Sequence, residues 1–243
     1  MKSILAAISL SLLIAAPALA CDPQLDIASL EVTSRYLWRG IELGSSTYGH
    51  ARADFALCGP RAAEKGPNGW EASVDAALPL SGHGTNLASA GVRYLRFFGD
   101  GNASWVSGGL TEYHWGEGRD KWSSEASIQA TRKVNVESIG LTVWPYFEAS
   151  YDFNRFDAAF TKAGVHHVIG SNALRIAADL DASVSASNYA NDFGFHDAEL
   201  TLWVDWTARP SGTIDLGAGG GRAWVADTIG SSRTWVGVRV RIR

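Results

Sequence analysis

The sequence predicts an all-β chain, a single transmembrane, antiparallel, up-and-down β-barrel of about twelve strands that follows a cleaved signal peptide. Three observations lead there. The chain opens with an export leader; the rest is a long series of segments in which apolar and polar residues alternate; and the links between those segments alternate between short turns and mostly longer stretches.

The leader is residues 1–20, MKSILAAISLSLLIAAPALA. Lys2 supplies the charged start, Ile4 to Ala16 the apolar stretch, and Ala18-Leu19-Ala20 the small-residue cleavage pattern. Residues 21–243 are then expected to form one outer-membrane barrel domain in a bacterial cell envelope. A lipoprotein leader is the rival, because Cys21 directly follows the cut; Ala18 stands where lipidation requires a larger aliphatic residue. Removing Lys2 with the leader leaves 20 basic against 25 acidic residues, a net charge of −5. That balance argues against a nucleic-acid partner, which calls for a basic excess. No apolar run after residue 20 approaches the ~18 residues of a membrane helix, so a membrane-embedded chain must cross as strands.

The single Met lies in the leader, while Gly, Ser, Ala, Trp and Tyr are abundant. Runs of Leu and Ile at helical spacing are missing. Period-two alternation begins in Leu30–Ile41 and continues in HARADFALC, where Ala51, Ala53, Phe55 and Leu57 oppose His50, Arg52 and Asp54. It recurs in WEASVDAAL and on through Ala88–Phe98, Ser104–Trp115, Trp122–Lys133, Gly140–Tyr151, Ala159–Ile169, Leu174–Ala186, Asp197–Thr207, Thr213–Ala223 and Thr234–Arg243. These segments run to roughly nine to twelve residues each, the length that a tilted spanning strand needs. With the N-terminus in the periplasm, the inner turns fall at GDGN (99–102), VNVE (134–137), GSN (170–172) and PSG (210–212). The outer links include SGHG (81–84), DFNRFD (152–157), SNYANDFGF (187–195) and ADTIGSS (226–232). GPRAAEKGPNG (59–69) is an inner link that departs from the short-turn rule.

Which face looks inward follows from what each face carries. The apolar face is rich in Ala, Gly and Val, with Trp38, Trp70, Trp105, Trp115, Trp122 and Trp206 near strand ends, as an interfacial aromatic girdle requires. The polar face holds too many charges for a dry interior and needs water. A soluble sandwich with a charged exterior satisfies both faces too; the even strand number and the turn asymmetry favour the membrane barrel. The final strand, TWVGVRVRIR, alternates Val236, Val238, Val240 and Ile242 with Arg239, Arg241 and Arg243. It ends in arginine, whereas outer-membrane proteins commonly end in the aromatic residue that the assembly machinery reads.

On the first strand, the pattern Ser-x-Tyr-x-x-Arg-Gly at Ser34, Tyr36, Arg39 and Gly40 resembles the opening of the TorF-like porins, a group of bacterial outer-membrane proteins. The resemblance implies an outer-membrane barrel with pore activity. It carries over no catalytic residue.

Cys21, just before the first strand, and Cys58, at the end of the second, fall at the same periplasmic rim and are expected to form a disulfide in that oxidising compartment. His166 and His167 point to opposite faces and cannot chelate together. Glu112 and His114 share one face; a hydrated lumen pair is the plain reading, an acid/base dyad the alternative. GAGGGR (217–222) lacks the Lys-Ser/Thr of a phosphate loop, so no ligand and no cofactor or metal is assigned. Arg35, Arg39, Arg52, Arg239 and Arg241 gather where the barrel closes. Asp179, Asp181, Asp197, Glu199, Asp205 and Asp215 gather on strands nine to eleven. A basic wall facing an acidic one across water would sort small hydrophilic solutes by charge; the alternative is that these groups pair and plug the barrel. The expected function is a passive, non-enzymatic channel, with outer-membrane lipid and the assembly machinery as partners. The alternatives are a plugged structural or adhesive barrel and an outer-membrane enzyme.

Overall fold

The computed structural model describes residues 24–38, 41–44, 46–58, 69–81, 84–98, 104–116, 122–136, 141–154, 156–171, 176–187, 194–207, 214–225 and 232–242. Among them the regular structure is strand throughout. In chain order the strands are β1 (Gln24–Thr33), β2 (Leu37–Trp38), β3 (Ile41–Glu42), β4 (Tyr48–Cys58), β5 (Gly69–Pro79), β6 (Leu87–Phe98), β7 (Ser104–Trp115) and β8 (Trp122–Arg132). They continue with β9 (Val134–Val136), β10 (Leu141–Asp152), β11 (Ala158–Ser171), β12 (Ile176–Ser187), β13 (Gly194–Thr207), β14 (Ile214–Val225) and β15 (Ser232–Ile242).

Twelve of these close an antiparallel barrel in the order β1-β4-β5-β6-β7-β8-β10-β11-β12-β13-β14-β15. The seam between last and first strand is a continuous ladder from Ala28 opposite Ile242 to Thr33 opposite Gly237. The predicted fold class and strand number are therefore those of the structure. Among the described residues each of the twelve strands is paired with a neighbour on both sides, the condition a spanning sheet must meet. Since Ala28 pairs with Ile242, both ends of the barrel domain lie at one rim, here called the near rim. The β1–β4, β5–β6, β7–β8, β10–β11, β12–β13 and β14–β15 links meet at the far rim.

The first strand differs from its predicted span. It runs Gln24–Thr33 rather than Leu30–Ile41. Beyond Thr33 the chain leaves the sheet and forms a two-stranded ribbon, in which Leu37 pairs with Glu42 and Trp38 with Ile41. This ribbon has no ladder to any barrel strand. Gly44, at φ 152°, takes a conformation that side chains disfavour and helps return the chain to β4. A smaller difference concerns the expected turn VNVE: Val134–Val136 is instead a short strand paired with Leu141–Val143. The expected turns GDGN and PSG, and most of the link 59–69, lie outside the described residues.

The burial pattern inverts that of a water-soluble protein. Leu30 is 64% exposed, Val236 63%, Val238 58% and Ile128 53%, all on the outer face, while Glu71 (2%), Asp152 (1%), Asp215 (2%) and Arg239 (5%) are buried inside. A contiguous apolar exterior of this extent needs an apolar solvent. The outer belt carries Trp122, Trp206 and Trp224 exposed near strand ends and Trp70 edge-on to Tyr94 with ring centres 5.3 Å apart.

Trp38, Trp105 and Trp115 are corrected by the structure. Trp38 and Trp115 are buried at 7% and 4%, and Trp105 lines the lumen opposite Phe97. On β7 both faces hold apolar groups, so alternation alone does not orient it. Ser107, Gly109, Thr111 and Tyr113 look inward beside Trp105. Glu112 and His114 consequently lie on the outer face, not in the lumen; Ser124 donates to Glu112 at 2.8 Å, and His114 meets the Trp122 ring edge at 4.7 Å.

Candidate functional site: the lumen

The inner wall has three parts: an aromatic constriction at the far rim, a polar cavity below it, and an ion-paired wall on the opposite side.

The constriction is built by the β1–β4 link. Trp38 and Leu43 pack with Tyr48, Ala77, Leu87 and Trp115, and Tyr36, Tyr113 and Phe156 pack against that cluster. The Trp38 ring stands edge-on to Trp115 at 4.9 Å and to Tyr113 at 5.5 Å. Such edge-to-face pairs are each worth about 0.5–1.5 kcal/mol beyond area burial. The carbonyl of Leu43 accepts from the Tyr48 hydroxyl at 2.8 Å and from the Thr85 amide at 2.9 Å, which ties the link to the neighbouring strands. Tyr36 stacks at 5.7 Å from Tyr48 and 5.2 Å from His50. Burial, with Asp75 nearby, pushes the Tyr36 phenol up from its ordinary value. The expectation that Trp38 belongs to the lipid-facing girdle is thus reversed: the strand ends before it, at Thr33, and the alternation that continues through the link has no sheet to refer to.

Below the constriction lies a cavity of about 510 Å³. Asp75, Glu125 and Glu148 line it together with Arg52, Arg93, Gln129 and several serines. Each arginine is held by a carboxylate of its own. Arg52 donates through Nε and Nη2 to Asp54 at 3.0 Å, and Arg93 donates through Nε to Glu71 at 2.8 Å. His50 sits 2.6 Å from Asp75 and 3.6 Å from Glu31.

The third part joins β12, β13 and β15. Arg239 makes a bidentate pair with Asp205, at 2.8 and 2.5 Å, and reaches Asp179 at 3.7 Å. Arg241 lies 3.6 Å from Asp205 and 3.8 Å from Asp179. The Arg239 guanidinium also stacks 4.3 Å from the Trp203 ring centre. Space for this comes from the inner face of β14. A Cβ on Gly217 would collide with Asp205 and Arg239; one on Gly219 would come within 2.6 Å of Trp203, and one on Gly221 within 2.7 Å of Trp235. The glycines of GAGGGR are therefore where large inward side chains of the adjacent strands lie down. Further round, Lys162 reaches Glu199 at 3.6 Å, Tyr146 donates to Asp181 at 3.0 Å, and His166 lies 3.1 Å from Asp179. His167 turns to the opposite face, against the Thr142 carbonyl.

The structure thus brings Arg239, Arg241, Asp179 and Asp205 together, but not as predicted. They are lateral neighbours within one wall rather than two walls facing across water. Asp215 is buried opposite Arg241 and accepts from Thr207 at 2.8 Å. Asp197 is buried on β13, and Arg52 projects into the cavity. Arg35 is half-buried in the link after β1. Arg39 and Cys21 lie outside the described residues, as does the side chain of Cys58. Sequence reading passed over Asp75, Glu125, Glu148, Glu71 and Arg93, although each stands on the polar phase of a strand it had identified; that phase was the available signal.

No known protein family matches this sequence, and no curated protein matches it. Solved structures do. The KdgM porin in complex with disordered oligogalacturonate superposes with a TM-score of 0.54 at 7% identity, over 90% of this chain and 99% of that one. The NanC porin gives 0.54 at 11% identity, over 89% and 99%. The COG4313 outer membrane channel from Pseudomonas putida F1 gives 0.53 at 6%, over 91% and 95%. At these identities the likeness establishes the fold, which is that of outer-membrane barrels. The narrower TorF-like family finds no separate support in these comparisons.

Proposed function

We propose that this chain is an outer-membrane, porin-like channel through which small hydrophilic solutes pass passively. One observation carries the reading: a closed barrel whose exterior is apolar encloses a polar cavity of about 510 Å³, lined by charged and hydroxyl side chains. A core that served stability alone would be filled with apolar groups. An export leader, a periplasmic near rim, lipid around the outer face and delivery by the assembly machinery belong to the same reading. The Ser34-Tyr36-Arg39-Gly40 motif supports membership of the TorF-like porins. A Cys21–Cys58 disulfide at the near rim belongs to the same reading; two free thiols on titration of the unfolded, unreduced protein would remove it.

A second reading, a structural barrel with a plugged lumen, is favoured by the aromatic constriction and by the Arg239–Asp205 pairing. Planar-bilayer recording of the purified, refolded protein separates the two. Discrete conductance steps are expected of the channel. Their absence both in the full chain and in a chain lacking the ribbon would establish the plugged barrel instead.

A further inference from the structure

We infer that the outer face of the near rim holds the phosphate of an anionic glycerophospholipid between Arg96 and Arg132, an inference that rests on the outer-membrane reading and names the lipid the barrel binds. Both side chains are exposed on the lipid side of the wall. The alternation of each strand fixes their direction. Arg96 lies two residues along β6 from Tyr94 and Phe98, which are 38% and 43% exposed, and Arg132 lies four along β8 from Ile128, 53% exposed. Strand β7 runs between them, with Val106 opposite Arg96 and Ser104 opposite Arg132. Two strand spacings set β6 and β8 roughly 10 Å apart, so two guanidinium groups reaching in over these smaller side chains can grip one phosphate from both sides.

Their depth suits a headgroup rather than a hydrocarbon tail. Phe98 ends β6, Ser104 begins β7 and Arg132 ends β8, while Trp70 and Tyr94 stand edge to face on the same belt. A guanidinium facing lipid is costly at the bilayer midplane and cheap at the interface, where the phosphates lie. The Arg96 guanidinium lies 5.4 Å from the Phe98 ring centre, a contact that uses its face and none of its N–H donors. The inner wall treats its arginines differently: Arg52, Arg93 and Arg239 each rest on a carboxylate of the barrel. Among the described residues, the outer face of β5 to β8 near this rim carries no carboxylate. In a chain of net charge −4, this basic pair is a local exception that an anionic headgroup complements.

Native mass spectrometry of the refolded full chain, released from micelles containing phosphatidylglycerol or phosphatidylcholine, tests the inference. Phosphatidylcholine carries the same phosphate beside a cation of its own. Phosphatidylglycerol is expected to be retained at least about fivefold more, and that preference to shrink as ammonium acetate is raised from about 0.05 to about 0.5 M and screens the pair. Arg96→Gln/Arg132→Gln should bring the two lipids within about twofold of each other. Arg222→Gln removes an exposed arginine from the outer face of β14 toward the far rim and should leave the preference as it is. Equal retention of the two lipids by the parent chain overturns the inference without any variant having to fold. An unchanged preference in a double variant that keeps the folded gel mobility overturns it too, as does an equal loss on Arg222→Gln. Conductance decides the channel reading separately: a silent barrel that prefers phosphatidylglycerol keeps this inference, and a conducting one without the preference loses it.

Discussion

Replacing residues 37–43 with a short Gly-Ser linker is expected to raise the unit conductance by at least about threefold, because a constriction, not the barrel wall, sets the resistance of a narrow pore. The ribbon is the natural place to cut. Its two strands pair only with each other, so the twelve-strand ladder survives their removal. What is lost is the Trp38 ring wedged between Trp115, Tyr113 and Phe156, and the Leu43 carbonyl that tethers Tyr48 and Thr85. Trp38→Ala should act in the same direction and less strongly, since the remaining rings can partly collapse into the space. The barrel itself is monitored by its gel mobility before and after boiling. Unit conductance equal to that of the parent chain, in a ribbon-less protein that still shows the folded mobility, would mean that the narrowest point lies elsewhere.

The ribbon also marks where sequence reading ran out. Period-two alternation correctly identifies the strands that became β4 and β5 and the long runs of β12 to β15, because there each residue has a lipid side or a lumen side to match. Leu174, Ile176, Ala178, Leu180, Ala182 and Val184 alternate with Asp179 and Asp181 for that reason, and the described residues of this run form β12. In Val32 to Trp38 the same alternation persists after the strand has ended, and Trp38, of apparent girdle pattern, packs in the aromatic constriction. β7 failed for a different reason. Trp105, Tyr113 and Trp115 look like a lipid face when read alone, and only cross-strand pairing with β6 and β8 shows that they share a side with Ser89 and Gln129. Composition cannot supply that, because large rings fit both an interface belt and a lumen constriction. Charge sign was legible residue by residue, but pairing was not. It depends on which strands are two apart around the barrel and on the glycines between them.

That dependence makes the Arg239–Asp205 pair the place with the largest expected effect on stability. Arg239 stands on β15, two strands from Asp205 on β13, and the intervening β14 offers only Gly217 at the crossing point. Both partners are buried, Arg239 at 5% and Asp205 at 4%. Removing one member of such a pair leaves an uncompensated charge, at a cost of about 3–5 kcal/mol. Here the loss from Arg239→Met should fall toward the lower end of that range, because Arg241, 3.6 Å from Asp205, can take over part of the compensation. Asp205→Leu leaves Arg239 with Asp179 at 3.7 Å, a longer contact with a carboxylate already shared with Arg241, and should cost at least as much. The double variant Arg239→Met/Asp205→Leu removes both charges and is expected to recover most of the stability, since apolar groups of similar volume can replace a buried pair without loss. Urea unfolding followed by tryptophan fluorescence reads the effect directly, as the guanidinium lies over the Trp203 ring. Arg239→Lys provides the finer discrimination: it keeps the charge but loses the bidentate geometry and the planar stack, so it should fall between the parent and Arg239→Met. If the single variants unfold at the parent's midpoint, or the double is no better than either single, the pair contributes nothing to holding the wall. The glycine row would then have to be explained by Trp203 and Trp235 alone.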